Sequence, residues 1–320
     1  MTPLRHAADL IRSKTHIAVC THVAPDGDAI GAMLALSRVL SSMGKHPVLL
    51  CDDPVPEKLR FLPGSDAIRS IPPENDAPET LIALDASDAE RLGMVAVPFL
   101  TRDIPLIVLD HHITNSNYGD INVVMPELAS AAEIVILLLD ELDGALDEDT
   151  ALCLLTGIVT DTHGFSTANV TPDTLAAAQR LMRAGANLAS VIEMALNRKS
   201  LETLRIWGLA LTGIQWEGGL LWTALSSANR EAIGASNDAH RGLSNLLMSA
   251  EGAHIVVAFV ELDDGRVDVS MRAAPGYDVS GAALALGGGG HKLAAGCTLN
   301  GPLDEAVLHT LALLRNIVHT

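Results

Sequence analysis

Short apolar runs alternate with helix-periodic stretches through the first third of the chain. Ile17–Thr21 is a compact, largely apolar run, the pattern of a strand buried on both faces. Asp28–Met43 then places apolar residues at helical spacing and stops at Gly44. Val48–Cys51, Leu81–Leu84 and Leu106–Leu109 repeat the strand pattern. This alternation predicts an α/β fold, a mostly parallel sheet with helices on both faces. Ser130–Leu142, Thr150–Thr160 and Pro172–Ala184 read as helices, and Pro172 sits where a missing N–H costs little.

Gly185-Ala186-Asn187 punctuates the chain, and residues 187–200 are expected to form a helical connector. A second, smaller α/β unit is expected from Leu201 onward. Its strands are Leu220–Leu225, His254–Val260 and Val267–Met271, the last two joined by an Asp263-Asp264-Gly265 turn. Arg241–Ser249, Val279–Leu286 and Leu303–Val318 read as its helices. The expected division is therefore 1–186, a linker over 187–200, and 201–320. There is no internal repeat, and Gly287–Gly290 is the one low-complexity stretch.

Chemistry gathers where the strands stop. Leu106–Leu109 runs into Asp110-His111-His112, His22-Val-Ala-Pro-Asp26-Gly-Asp28 follows the first strand, and Asp85 follows Leu81–Leu84. Asp161 ends the apolar run from Leu154. In open parallel sheets, ligands bind outside the carboxyl ends of the strands. Each cluster has a plain structural reading of its own: a Pro-Asp-Gly turn with an Asp N-cap, a turn residue at Asp85, a helix terminus at Asp161. Their joint occurrence points instead to a binuclear metal centre. Asp and His donors without Cys favour Mn²⁺, with Mg²⁺, Co²⁺ or Zn²⁺ as alternatives, over a thiolate-bound structural zinc. Two cations bridged by a carboxylate can activate water and stabilise phosphoryl oxygens. Ser130-Ala131-Ala132-Glu133 has capping-box spacing and is read as helix initiation, without chemistry.

Composition narrows the function. Hydrophobic residues make up 48% of the 320 and charged ones 19%, which suits a well-packed globular chain. Aromatics are 3%, too few for base-stacking platforms, so Trp207, Trp216 and Trp222 are expected to pack. The net charge of −18 argues against gripping long duplex nucleic acid but not against a small phosphorylated substrate, because bound cations reverse the local sign. Cys20, Cys51, Cys153 and Cys297 form no CxxC pair and are expected as reduced, buried thiols. With no signal-type segment and no apolar run near ~18 residues, the expected location is the cytoplasm, away from membranes. Gly287–Gly290, followed by His291 and Lys292, is expected to be an ordered anion nest; it is not a P-loop, because Leu293 follows Lys292.

The ordered set His22…Asp26-x-Asp28, Asp85, Asp110-His111-His112 and Asp161 resembles the DHH phosphoesterase superfamily. Ser270-Met271-Arg272 with Gly287-Gly288-Gly289-Gly290-His291-Lys292-Leu293-Ala294-Ala295-Gly296 resembles its DHHA1 domain. The compact length is similar to the oligoribonuclease and pAp-phosphatase (NrnA-like) branch and lacks the added length of RecJ-type exonucleases. The resemblance implies an active site in the cleft between a DHH and a DHHA1 domain. It implies one metal on His22, Asp26 and Asp85, and a second on Asp28, Asp85, His111 and Asp161. Asp110 would orient the imidazoles, and His112 would contact the scissile phosphate or assist proton transfer. Arg272, Gly288, Gly289, Gly290 and His291 would hold the substrate's other phosphate or terminal nucleotide. His163 stands where many members have glycine directly, a local departure. The implied activity is hydrolysis of very short RNA to 5′-mononucleotides, with adenosine 3′,5′-bisphosphate (pAp) as a second substrate. Cyclic or linear dinucleotides remain an alternative, as does a catalytically silent nucleotide-binding regulator. The oligomeric state stays open, a homodimer included.

Overall fold

The computed structural model describes residues 2–72, 77–237 and 239–318. The chain divides into two compact units, Met1–Arg198 and Lys199–Thr320.

The first unit runs α1 (Pro3–Ser13), β1 (His16–Thr21), α2 (Gly27–Ser42), β2 (His46–Leu50), β3 (Thr80–Leu84), α3 (Val97–Leu100), β4 (Leu106–Asp110), β5 (Ile121–Val124), α4 (Ala131–Glu141), α5 (Glu148–Asp161), α6 (Pro172–Arg183) and α7 (Leu188–Val191). Its sheet has the order β2-β1-β3-β4-β5, and every pairing is parallel. Both faces are covered, which explains the continuous apolar runs. Ile17 and Val19 face a core shared with α1, α2, α4 and α5, while Ala18 and Cys20 face one that includes Phe99 of α3. The strand order reverses between β1 and β3, the crevice where sheets of this order take ligands.

α2 and α5 pack at very short range because glycine replaces side chains at their contact. A Cβ at Gly31 would stand 2.3 Å from the Cys153 carbonyl oxygen, and one at Gly27 2.4 Å from Thr160 Oγ1. The segment read as a connector is helical, as α7 and the π-helical turn Ile192–Asn197, but Val191 and Ala195 are buried in the first unit's core. Helix formation there is driven by that burial rather than by bridging.

The second unit runs α8 (Leu201–Thr212), β6 (Gln215–Glu217), β7 (Leu220–Leu225), α9 (Ser227–Ile233), α10 (Leu243–Leu247), β8 (Ile255–Glu261), β9 (Val267–Ala273), α11 (Ser280–Ala285), β10 (Gly289–His291), β11 (Ala294–Leu299) and α12 (Leu303–Val318). Its mixed sheet has the order β10-β11-β9-β8-β7-β6, with β7 and β8 parallel and the other neighbours antiparallel. Val267, Val269 and Met271 lie in a core with Leu311 and Leu314 of α12, while Val256, Ala258 and Val260 face Leu243 and Leu247 of α10.

The glycine run differs from the expected anion nest. Gly289 and Gly290 lie in β10, an edge strand paired with β11. Close backbone approach requires the glycines: a Cβ at Gly288 would stand 2.1 Å from the Gly296 carbonyl oxygen, and at Gly290, whose φ is +134°, 2.5 Å from Ala295 Cα. Of the tryptophans, Trp222 packs edge-on to Phe259, whereas Trp216 is 52% exposed. All four cysteines are free and buried.

Candidate metal centre

The parallel sheet delivers its polar residues to one rim. His22 follows β1, Asp85 follows β3, and Asp110-His111-His112 sit at the end of β4. Asp85 turns sharply away from its strand in the left-handed region, at φ +55°, a conformation Asp tolerates better than most residues. Asp26 caps α2, accepting from the Asp28 and Ala29 N–H groups at 3.0 and 3.1 Å. The turn-and-cap reading of Pro25-Asp26-Gly27 is therefore also true, and the same carboxylate lies 3.9 Å from His22 Nε2. Asp161 arrives from the C-terminal end of α5 rather than from a strand.

Three sets of donor atoms converge: His22, Asp26 and Asp85; Asp28, His111 and Asp161; and Asp85, His111 and His112. Asp85, 2% exposed, is common to the first and third. Its Oδ2 is 3.6 Å from His22 Nε2, and its Oδ1 is 3.5 Å from both His111 Nε2 and His112 Nδ1. Asp161 is 3.5 Å from His111 Nε2. These separations are too long for good hydrogen bonds and suit donors that share a cation about 2.1 Å from each. Asp85 Oδ1 is buried without a hydrogen-bond partner among the described residues. A buried, unsatisfied carboxylate oxygen is costly, and a divalent cation would satisfy it. The residues fit the metals that the donor chemistry implies.

The backbone around the donors fixes their aim. The Val23 carbonyl accepts from His22 Nδ1 at 2.8 Å, so that nitrogen carries the proton and Nε2 is the free donor atom. Asp28 is fully buried, and its carboxylate accepts from the Ala131 and Ala132 N–H groups at the start of α4, at 2.5 and 2.9 Å. The Ser130–Glu133 stretch thus does more than start a helix: the Ala131 and Ala132 N–H groups, the first two of α4, hold a candidate ligand. Its capping is not the expected reciprocal box, because the Glu133 carboxylate bonds the Ala129 N–H at 2.7 Å while Ser130 accepts from Glu133.

Asp110, fully buried, accepts from the His111 and His112 N–H groups at 2.9 and 3.3 Å and from Asn115 Nδ2 at 2.6 Å. Its imidazole contact is with His112 alone, at Nδ1, 2.8 Å. Asp110 therefore orients one imidazole, not both. His112, whose side chain is 41% exposed, has no hydrogen-bond partner at Nε2 among the described residues.

Charge crowding shifts the site's protonation. Burial, with Asp85 and Asp161 beside it, holds the Asp28 carboxyl well above the usual carboxylate range. Burial, then Asp85 and Asp26, push Asp161 up to about 6. Burial disfavours charge on His111, but Asp85, Asp28 and Asp161 outweigh it and push it up to about 10. Asp85 is also penalised by burial, yet the imidazoles of His111 and His22 bring it below its ordinary value. Each of these carboxylates would be relieved by a cation.

In the second unit, Arg272 lines a groove of about 440 Å³ together with Gly289 and Gly290. Gly288 lies just before β10, and His291 is exposed at its end. Asn115, Gly157 and the Ala131 and Ala132 N–H groups were missed in the sequence. Only Asn115, five residues after Asp110, had a local signal.

A parallel sheet bearing this donor set, followed by a shorter unit built on a mixed sheet, defines a two-domain metal-binding hydrolase. The model of the DHH family N-terminal domain matches residues 16–158, and that of the DHHA1 domain matches 225–319. The chain is 36% identical to the bifunctional oligoribonuclease and PAP phosphatase NrnA of Thermus thermophilus, over 98% of this chain and 93% of that one. Among solved structures, it superposes on an exopolyphosphatase-related protein from Bacteroides fragilis with a TM-score of 0.92 at 22% identity, over 98% and 96% of the two chains. The Mn²⁺ complex of RecJ from Thermus thermophilus shares the fold at a TM-score of 0.58 and 15% identity, over 98% of this chain and 55% of that one. The chain belongs to the DHH/DHHA1 phosphoesterase family, in its NrnA-like branch. No helix among the described residues is long and apolar enough to cross a membrane.

Proposed function

We propose that this protein uses two divalent cations, Mn²⁺ foremost, to hydrolyse very short oligoribonucleotides to 5′-mononucleotides and adenosine 3′,5′-bisphosphate to AMP. The observation that carries the reading is Asp85, a buried carboxylate set among three imidazoles, whose Oδ1 has no hydrogen-bond partner among the described residues. His22, Asp26 and Asp85 would hold one ion, and Asp28, Asp85, His111 and Asp161 the other. When bound, such a pair makes water a nucleophile at neutral pH and neutralises charge on the phosphoryl oxygens.

The chain's own residues supply the rest. The Asp110 carboxylate fixes His112 with Nδ1 inward, so the exposed Nε2 is the atom that exchanges a proton with the reacting phosphate or leaving oxygen. Arg272 and the Gly288–His291 segment hold the substrate's other phosphate. The NrnA relative named for both activities supports this substrate class.

A linear or cyclic dinucleotide phosphodiesterase would use the same centre, and a silent regulator would bind nucleotide without turnover. One panel separates them: initial rates with Mn²⁺ on pAp, dinucleotides, 5-mers, 24-mers and cyclic dinucleotides. Fastest release of mononucleotide from dinucleotides, with AMP from pAp, is expected. Turnover confined to cyclic dinucleotides, or none at all in metal-loaded protein, would overturn the reading.

A further inference from the structure

Side chains alternate along β9, so Asp268, Ser270 and Arg272 share the face opposite the buried Val267, Val269 and Met271. All three line the groove that contains Gly289 and Gly290. Four residue steps along the strand separate the Arg272 and Asp268 Cα atoms by about 13 Å. Between these opposite charges lie Ser270 and, paired with it on β11, Gly296. A Cβ at Gly296 would stand 2.8 Å from the Val269 carbonyl oxygen, so this part of the floor stays low. A sugar or a base can lie flat there.

The two ends are chemically distinct. Arg272 donates through Nε to Asn245 Oδ1 at 2.7 Å and through Nη1 to the Met271 carbonyl at 2.9 Å, and it has no carboxylate partner among the described residues. Its charge is positioned but not neutralised, as an anion site needs. At the other end, Asp268 Oδ2 lies 2.9 Å from Nε2 of His240, a residue only 7% exposed. That anchor stops the carboxylate swinging aside, and Oδ1 has no hydrogen-bond partner among the described residues. An anchored acceptor selects N–H or O–H donors and repels phosphate.

We infer that Asp268 is a specificity-determining residue that accepts a hydrogen bond from the nucleoside of a nucleotide whose phosphate is held by Arg272. His240 is its positioning residue. This rests on the reading that Arg272 binds a substrate phosphate. The donor is the amino group of the base or the ribose 2′-hydroxyl, and the probes below distinguish them.

Calorimetric titration of the full-length protein, with Mn²⁺ present, uses AMP, 2′-deoxy-AMP and purine riboside 5′-monophosphate, which lacks the amino group. Asp268→Asn is nearly isosteric. His240 Nε2–H retains the amide oxygen, so the amide NH₂ turns toward the groove and an acceptor becomes a donor. AMP should bind about tenfold more weakly to this variant, as expected for losing a charge-assisted hydrogen bond. The loss should largely disappear for whichever analogue lacks the donor. An Asp268→Asn protein that binds AMP within twofold of wild type, or loses all three ligands equally, overturns the inference. If Arg272→Ala still abolishes AMP binding in that case, the phosphate reading survives. Wild-type protein that does not bind AMP, or an Arg272→Ala variant that binds it normally, overturns both.

Discussion

Gly157 of α5 lies so close to Asp28 of α2 that a methyl group at position 157 would stand 2.6 Å from Asp28 Oδ1 and 2.7 Å from Ala132 Cβ. The glycine leaves room for a carboxylate wedged between two helices and the start of a third. Gly157→Ala should push Asp28 off the Ala131 and Ala132 N–H groups. Overpacking of this kind costs about 1–3 kcal/mol. The metal site should lose affinity by about 10- to 100-fold, as when a ligand's support is removed. Thermal unfolding with metal titration reads both, and unchanged Mn²⁺ affinity would remove Gly157 from the site's support.

Asp85→Asn tests the bridge. Asn also tolerates the left-handed backbone at this position, so the fold should survive. If Asp85 bridges two cations, charge is lost from both metal positions at once, and hydrolysis should fall by several orders of magnitude. Near-normal turnover in a fully metallated variant would exclude bridging.

Asp161 sets stability against function. Its folded-state value of about 6 lies above the ordinary 3.8, so between those pH values the native state holds a proton that the unfolded chain has released. Metal-free protein therefore loses stability as pH rises through that window, and the penalty is fully present at neutral pH. Asp161→Asn should raise the melting temperature of metal-free protein at pH 7.5 while shrinking the gain on adding Mn²⁺. A variant that melts lower without metal would show that the carboxylate is not under strain.

His111 predicts the sign of the pH effect on loading. Its value near 10 means that the metal-free site is protonated there at pH 7, and a metal must displace that proton. Apparent Mn²⁺ affinity should rise by up to about tenfold per pH unit between pH 7 and 9, with proton release visible by calorimetry in buffers of different ionisation enthalpy. A flat profile would mean that His111 is already neutral.

Much of this centre was legible because its donors sit at strand ends, where apolar periodicity stops and Asp or His begins. β1, β3 and β4 were readable for the same reason: both faces are covered, so their apolar runs are continuous. β5 was not, since its four residues alternate between buried and half-buried. α8 was missed because its exposed leucines, among them Leu201 and Leu204, blur the helical stripe. The glycine run did not read as a strand because four glycines carry no strand pattern, and only pairing with β11 shows it. Ala131 and Ala132 act through backbone N–H groups, which no side-chain pattern encodes. Gly157 matters only because α2 and α5 are in contact, a relationship across more than a hundred residues.

Substrate length gives the last prediction. The chain carries 39 acidic and 21 basic residues. At −18, it cannot hold a long polyanion by diffuse attraction. With 3% aromatic residues, it has little stacking surface to compensate. On the proposed reading, affinity comes from a few fixed contacts, among them Arg272, whose guanidinium no described carboxylate neutralises. A dinucleotide has few phosphates beyond those that such contacts would hold. Each further phosphate of a longer strand meets repulsion that only salt can screen, over about 10 Å at 0.1 M. Dinucleotides should be cleaved much faster than 24-mers at equal strand concentration. The gap should narrow as salt rises, even though salt weakens the direct contacts, because the longer strand has more repulsion to lose. Equal rates at low salt, with processive shortening of the 24-mer, would point to a strand-tracking exonuclease instead.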